Sequence, residues 1–273
     1  MDNFHTVGKL AKPPLVYTAG VVSINLKDID EYIGKIQDTL KENYPGSSEM
    51  EMSIKQINPV DGDISDKKIK HYAINAPDLN WGVLITEQQF IFHTVKYKTF
   101  DEFYTRFSEA LSTVMEITGT KYHSGLAFRQ IDNFELVEGE QKLSDCVNER
   151  FLSMDLPSSI SNDGSRFLRQ EHRHLFEDKT SVVLRTYTFE SSSGPSIPED
   201  LLPWCIGLNY KLLEQNIKEP PFLLADFEVG KQLEGKSEKI LVQKIEKDFR
   251  KFHEHLYEIF NQVIKQDALE RRT

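Results

Sequence analysis

The sequence predicts an α+β protein whose strands are antiparallel. Both halves of the 273-residue chain carry several strand-like runs in succession, separated by turn residues and followed by an amphipathic helix. Strands and helices do not alternate strictly, which disfavours a doubly wound sheet or a β/α barrel. We therefore expect two antiparallel β-sheet halves, each packed with one or two helices. Residues 1–140 form the N-terminal α+β half, and residues 141–273 form a β-rich half that ends in a long helix.

The first strand follows a double proline. Pro13 and Pro14 lack a backbone N–H and hold an extended φ, which suits a segment that enters a sheet at its edge. Residues 15–24 then place apolar side chains on both faces of the strand. This pattern predicts a strand that is covered on both sides, or one that changes face at a bulge near Gly20.

Two helix starts in the N-terminal half have the pattern of a capping box. Asp28 with Glu31 precedes an apolar stripe that ends before residues 43–46, and Thr99 with Glu102 precedes a second stripe that ends at Gly119. Strands are expected between and after these helices, at residues 49–57, 67–75, 81–86, 90–97 and 122–136.

The C-terminal half opens with a variable region at residues 138–164. A hairpin is expected at residues 167–176 and 180–189, and both of its arms are polar on one face. After a loop rich in Ser, Gly and Pro, we expect two strands, near residues 204–215 and 222–229. A stripe of apolar residues from Ile245 to Ile264 predicts the long terminal helix.

Composition narrows the function classes. The net charge of −10 argues against general nucleic-acid binding, because phosphate neutralisation needs a basic surface. No run of about 20 apolar residues is present to span a membrane, and the N-terminus lacks the pattern of a signal peptide, so we expect a cytoplasmic protein. Cys146 and Cys205 belong to no CxxC pair, which favours packed thiols over a metal cluster. No nucleotide-binding glycine motif occurs, and we expect no metal and no other cofactor.

Four segments, in order, resemble a sporadically distributed family of uncharacterised prokaryotic α+β proteins. They are residues 12–16 (Lys-Pro-Pro-Leu-Val), 124–128 (Ser-Gly-Leu-Ala-Phe), 222–227 (Phe-Leu-Leu-Ala-Asp-Phe) and the helix around 253–260. The family usually has a glutamate where this chain has Tyr17, and its central strand usually reads Gly-Leu-Arg-Tyr where this chain has Ala127 and Phe128. The resemblance implies an association with mobile or defence genes. It implies no reaction and no cofactor.

The polar hairpin is one candidate site. His172 and His174 are two residues apart on a strand and therefore share a face, a spacing that can chelate a metal or bind phosphate if a third ligand is added. Arg169, Arg173 and Arg185 are the nearby cations. The alternative interpretation is a solvent-facing hairpin with exposed histidines. His253, within an apolar helical stripe, is more typical of a core histidine than of a catalyst.

A second candidate is an aromatic cluster where a hairpin meets the second helix. Its members that would line a groove are Trp81, Phe92, Tyr97 and Tyr104. Aromatic side chains at these positions either fill a core or bind a partner, and core filling is the commoner outcome.

No catalytic residue can be assigned, since the chain has no nucleophile elbow and no cysteine in an activating context. The sequence therefore favours a binding or interaction protein, with a protein partner or a second copy, acting through a groove or a sheet edge. The alternative is a phosphate- or metal-dependent enzyme, or a nucleic-acid factor, centred on residues 166–185.

Overall fold

The computed structural model describes residues 13–57, 64–152, 167–189, 194, 197–198, 200–201 and 221–272. The strands within these residues are β1 (Leu15–Ile24), β2 (Gly46–Ile57), β3 (Ile64–Asn75), β4 (Trp81–Ile85), β5 (Gln89–Thr94), β6 (Tyr122–Glu135), β7 (Phe167–Leu175), β8 (Thr180–Phe189), β9 (Phe222–Gln232) and β10 (Glu238–Lys239). The α-helices are α1 (Ile29–Leu40), α2 (Phe100–Thr118), α3 (Val242–Val263) and α4 (Gln266–Glu270).

All ten strands of the described residues belong to one antiparallel sheet. Its order is β2-β3-β4-β5-β1-β6-β9-β8-β7, and β10 pairs with the start of β6. The predicted α+β class and the long C-terminal helix are confirmed. The division into two sheet halves is not confirmed, because β1 lies between β5 and β6, and β6 pairs with β9. The boundary between residues 140 and 141 stays a prediction.

The helices α1, α2 and α3 cover one face of this sheet, which we call the helix face. Their apolar stripes join the inward side chains of the sheet in a single large core. Gly20 lies beneath this layer, and a Cβ atom at Gly20 would stand 2.8 Å from the Phe249 ring and 3.3 Å from Phe103. The residue is small because two helices approach the sheet there.

The predicted bulge at Gly20 is wrong. The pairing of β1 with β6 is regular through Gly20, and its irregularities lie between Leu15 and Tyr17 and between Ser23 and Ile24. The other prediction for β1, burial on both sides, is confirmed. Val22 lies in the core of the helix face, whereas Tyr17, Ala19 and Val21 belong to a second core on the opposite face.

The two predicted capping boxes differ in outcome. Thr99 accepts a hydrogen bond from the Glu102 amide at 3.2 Å, and α2 ends at Gly119 in the left-handed region, as expected. The box at Asp28 is wrong, because Asp28 has a φ of 58° and its side chain makes no capping hydrogen bond. An aspartate caps a helix from extended backbone, which a left-handed residue does not have.

The remaining predicted elements mostly hold. The hairpin of β7 and β8 is confirmed, with Lys179 at a φ of 66° in its turn. The strand expected at residues 90–97 ends at Thr94. The strand near residues 204–215 and Cys205 lie outside the described residues. Among the helices of the described residues, none has both the length and the apolar character to cross a membrane.

Candidate functional site

The structure separates the histidines of the predicted hairpin site from its arginines. His172 and His174 pair with Leu184 and Val182, which belong to the core of the helix face. Cross-strand partners share a face of a sheet, so both histidines lie on that side of the edge strand β7. Arg169 and Arg173 alternate with them along β7 and lie on the opposite face. Arg185 of β8 is the cross-strand partner of Glu171 and lies on that opposite face too. The five residues therefore do not converge.

Carboxylates surround the arginines on that opposite face. Arg185 donates hydrogen bonds to Glu171 at 3.1 Å, to Asp226 at 3.0 Å and to Glu228 at 3.1 Å. Arg173 donates to Glu171 at 3.3 Å. Because these guanidinium groups already have anionic partners, a phosphate would have to displace them.

Arg169 lies over the ring of Tyr187, with its guanidinium carbon 5.5 Å from the ring centroid. His172 and His174 are exposed, and their rings contact Phe151 at 5.9 Å and Phe176 at 4.5 Å. Across the described ranges, no group of three or more His, Cys, Asp or Glu residues is placed to hold a metal ion. The two histidines thus have no third ligand in the part of the chain that the structure describes.

The candidate aromatic groove coincides with the core. Trp81, Phe92 and Tyr104 are buried, and their rings pack against those of α2. Tyr97 is half-buried and its hydroxyl lies 3.1 Å from Nε2 of His253. Burial lowers the pKa of His253 to about 4, which is the behaviour of the core histidine that the helical stripe predicts.

Sequence reasoning missed a buried ion pair inside the sheet. Nε and Nη2 of Arg129 donate to the two carboxylate oxygens of Asp226, each at 2.7 Å, and Nη1 donates to Asp200 at 2.8 Å. Burial alone would lower the pKa of Arg129, but the carboxylate of Asp226 outweighs it and keeps this pKa above its ordinary value. These contacts hold the segment at residues 200–201 against the sheet, and we interpret them as structural.

A polar cleft opens at the end of the sheet where β1 stops and β6 begins. Its volume is about 870 Å³. Hydroxyl and amide groups predominate in its wall, which includes Ser23, Asn25, Gln88, Gln89, Ser124, Gln232 and Ser237. The charged residues of the wall are Lys27, Asp28 and Glu87, so the cleft has no excess of cations.

Backbone hydrogen bonds hold two sides of this cleft together. The amides of Ile24 and Leu26 donate to the carbonyls of Gln88 and Glu87 at 2.9 and 2.8 Å. The turn that carries Glu87 and Gln88 is itself closed by the Thr86 hydroxyl, which accepts from the Gln88 amide at 3.1 Å. These hydrogen bonds fix the backbone of two segments of the wall, so the side chains of those segments project into the cleft from fixed positions.

His123 is the buried titratable group of the cleft. Its side chain lines the cleft although the residue is only 4% exposed. Its Nδ1 atom is buried and has no hydrogen-bond partner among the described residues. Burial lowers the pKa of His123, against the opposing effect of Glu238, its neighbour on β10. The imidazole is therefore held in its neutral form, and its Nδ1 atom is buried beside the cleft.

Tyr122 stands next to His123 and is 56% exposed, which makes its ring an open surface at the cleft. The cleft was not predicted, because its walls come from separate segments between residues 23 and 237. The polar run Tyr122-His123-Ser124 at the start of a strand is the one signal in the sequence that could have indicated it.

Comparison with known proteins adds no assignment. No protein-family profile matches the chain, and no curated protein matches it. The family resemblance drawn from four sequence segments therefore stays a prediction.

Proposed function

We propose that this chain is a binding protein that takes a small, neutral, polar molecule into the cleft beside His123. The observation that carries this proposal is the buried Nδ1 atom of His123, which has no hydrogen-bond partner among the described residues and belongs to a residue that lines an open cleft. A buried polar atom without a partner is unfavourable by about 1–3 kcal/mol, and a ligand that forms a hydrogen bond with it removes that penalty.

The size and chemistry of the cleft support a small ligand. Its volume of about 870 Å³ lies within the range of roughly 300–1,000 Å³ that is typical of small-molecule sites. Serine hydroxyls and Asn or Gln amides both donate and accept hydrogen bonds, so they suit hydroxyl, amide and carbonyl groups of a ligand.

The charge distribution favours a neutral molecule over an anion. Lys27 is opposed by Asp28 and Glu87, and His123 is neutral because burial lowers its pKa. A phosphate or carboxylate would meet no net positive charge here, whereas a neutral ligand needs none.

The residues that line the cleft support a proposal of binding rather than of catalysis. Within the described part of the cleft, no cysteine and no second histidine accompanies His123. The alternative function at the hairpin has less support, because Arg173 and Arg185 are bound to carboxylates and the histidines lie on the other face.

The test is a screen of neutral hydroxyl and amide compounds, with backbone amide shifts of the ¹⁵N-labelled protein as the readout. We expect hits to shift the amides of Ser23, Gln88 and Ser124 together. In the variant His123→Ala we expect about tenfold weaker binding, the loss of one hydrogen bond. The variant His172→Ala is the matched control, because His172 is an exposed histidine outside the cleft. Hits that bind elsewhere, or an equal affinity in His123→Ala, would contradict the proposal.

A further inference from the structure

A second polar site lies in the core on the sheet face opposite the helices. Five cross-strand partners form a row across the middle of the sheet: Asn75, Gly82, His93, Ala19 and Arg129. Because cross-strand partners share a face, their side chains are neighbours. Gly82 and Ala19 carry at most a methyl group, so little side chain stands between Asn75, His93 and Arg129.

His93 contributes the first polar atom, because only one of its two ring nitrogens has a hydrogen-bond partner among the described residues. The hydroxyl of Tyr17 lies 3.0 Å from Nδ1 of His93, and the residue is 0% exposed. Its other nitrogen, Nε2, has no hydrogen-bond partner among the described residues. Burial also lowers the pKa of His93 to about 3, so the ring is neutral.

Asn75 contributes the second polar atom. The residue is 3% exposed, and its Oδ1 atom likewise has no hydrogen-bond partner in the described ranges. A buried amide oxygen without a donor is unfavourable, as is a buried imidazole nitrogen without a partner.

Gly82 connects the two atoms. A Cβ atom at Gly82 would stand 2.6 Å from Oδ1 of Asn75 and 2.7 Å from Nε2 of His93. Both atoms therefore lie close to the same place above the strand, over a residue that has no side chain of its own. They are not hydrogen-bonded to each other.

We propose that a single buried water molecule binds above Gly82 and bridges Nε2 of His93 to Oδ1 of Asn75. Water has two donors and two acceptors, so it can donate to Oδ1 and pair with Nε2 in either tautomer of the neutral ring. A carbonyl ligand could not donate to Oδ1. A metal ion would find only one imidazole nitrogen and one amide oxygen, fewer protein ligands than structural metal sites use. A bridging water is the usual partner of buried polar atoms in this arrangement.

The test is to detect the water directly in the full chain. Magnetisation transfer from long-lived water to the ring protons of His93 is expected in the folded protein, with a residence time far longer than that of surface water. A crystal structure at high resolution should place the oxygen within hydrogen-bond distance of both atoms. If neither measurement finds a water bound to both atoms, the proposal is overturned.

Two glycine variants separate this site from a general effect of added methyl groups. Gly82→Ala should abolish the transfer from water to His93 and lower the melting temperature, since the methyl group takes the space between the two atoms. Gly34→Ala is the control, because a Cβ atom on that exposed helical glycine meets nothing within 4 Å; it should leave the transfer unchanged and not lower the melting temperature. Persistence of the water signal in Gly82→Ala would overturn the proposal, and should that variant fail to fold, the measurements on the unaltered protein decide.

Discussion

Arg129 and Asp226 form a bidentate ion pair inside the sheet, with both nitrogen–oxygen distances at 2.7 Å. Asp226 is 0% exposed, and its Oδ2 atom also accepts from Arg185 at 3.0 Å. One fully buried carboxylate thus pairs with two arginines, one from each of the strands that flank β9. A buried charge of this kind is tolerated only while its partners are present.

The variant Asp226→Asn should therefore destabilise the fold by about 3 kcal/mol or more, because two guanidinium groups lose their shared anion. Urea denaturation measures this loss. Arg173→Ala is the matched control: Arg173 is 65% exposed at its side chain and pairs with Glu171, so its removal should change stability by no more than about 1 kcal/mol. Equal effects of the two substitutions would show that the Asp226 network is not a stabilising element.

Asp132 predicts a pH dependence of stability. Burial raises the pKa of this side chain to about 8, and the residue is 3% exposed on the helix face. Above pH 3.8 the unfolded chain loses the proton of Asp132, whereas the folded chain keeps it. The contribution of this group to the free energy of unfolding is therefore fully present below pH 3.8 and is lost as the pH rises towards 8.

Asp132→Asn cannot ionise and should escape this loss. Its stability relative to the unaltered protein should rise by about 1.4 kcal/mol for each pH unit between pH 4 and pH 8. Denaturation of both proteins at pH 5 and pH 7 tests this. A constant difference between them would mean that Asp132 titrates normally in the folded state.

The buried histidines predict the opposite trend on the acid side. Burial lowers the pKa of His93 to about 3 and that of His253 to about 4. The unfolded chain takes up these protons as the pH falls through 6.5, so the contribution of both groups is complete above pH 6.5 and declines below it. In an NMR titration, the ring protons of His93 and His253 should not shift between pH 8 and pH 5. Titration of either ring near pH 6.5 would contradict its burial.

Gly20 tests the packing of the helix layer. A methyl group at this position would stand 2.8 Å from Phe249 and 3.3 Å from Phe107, so Gly20→Ala should destabilise the fold by about 1–3 kcal/mol through overpacking. Gly34→Ala, on the exposed face of α1, should instead stabilise it by up to about 1 kcal/mol. Thermal unfolding of the two variants compares these signs, and a stable Gly20→Ala protein would count against the close approach of α2 and α3.

Local patterns in the sequence predicted the local structure well. The apolar stripes of α2 and α3, the cap at Thr99 and the hairpin of β7 and β8 depend on neighbours within a few residues, and all are present. The sheet order could not be predicted in this way, because β1 pairs with β6, which follows it after two helices and four strands, and no short pattern encodes that pairing.

The candidate sites show the same limit. Alternation along β7 correctly placed His172 and His174 on one face, but two partners of Arg185 come from β9, which periodicity cannot reveal. The capping pattern at Asp28 was matched by residue type and failed on backbone conformation. The cleft around His123 depends on segments that meet only in the folded protein.

The binding of a neutral polar molecule in the cleft beside His123 can be measured by calorimetric titration with the best compound from the neutral screen. We expect saturable binding at one site, about tenfold weaker in His123→Ala and unchanged in His172→Ala. Inorganic phosphate should show no comparable binding. Saturable binding of phosphate that persists in His123→Ala, or no binding of any neutral compound to the cleft, would contradict this function.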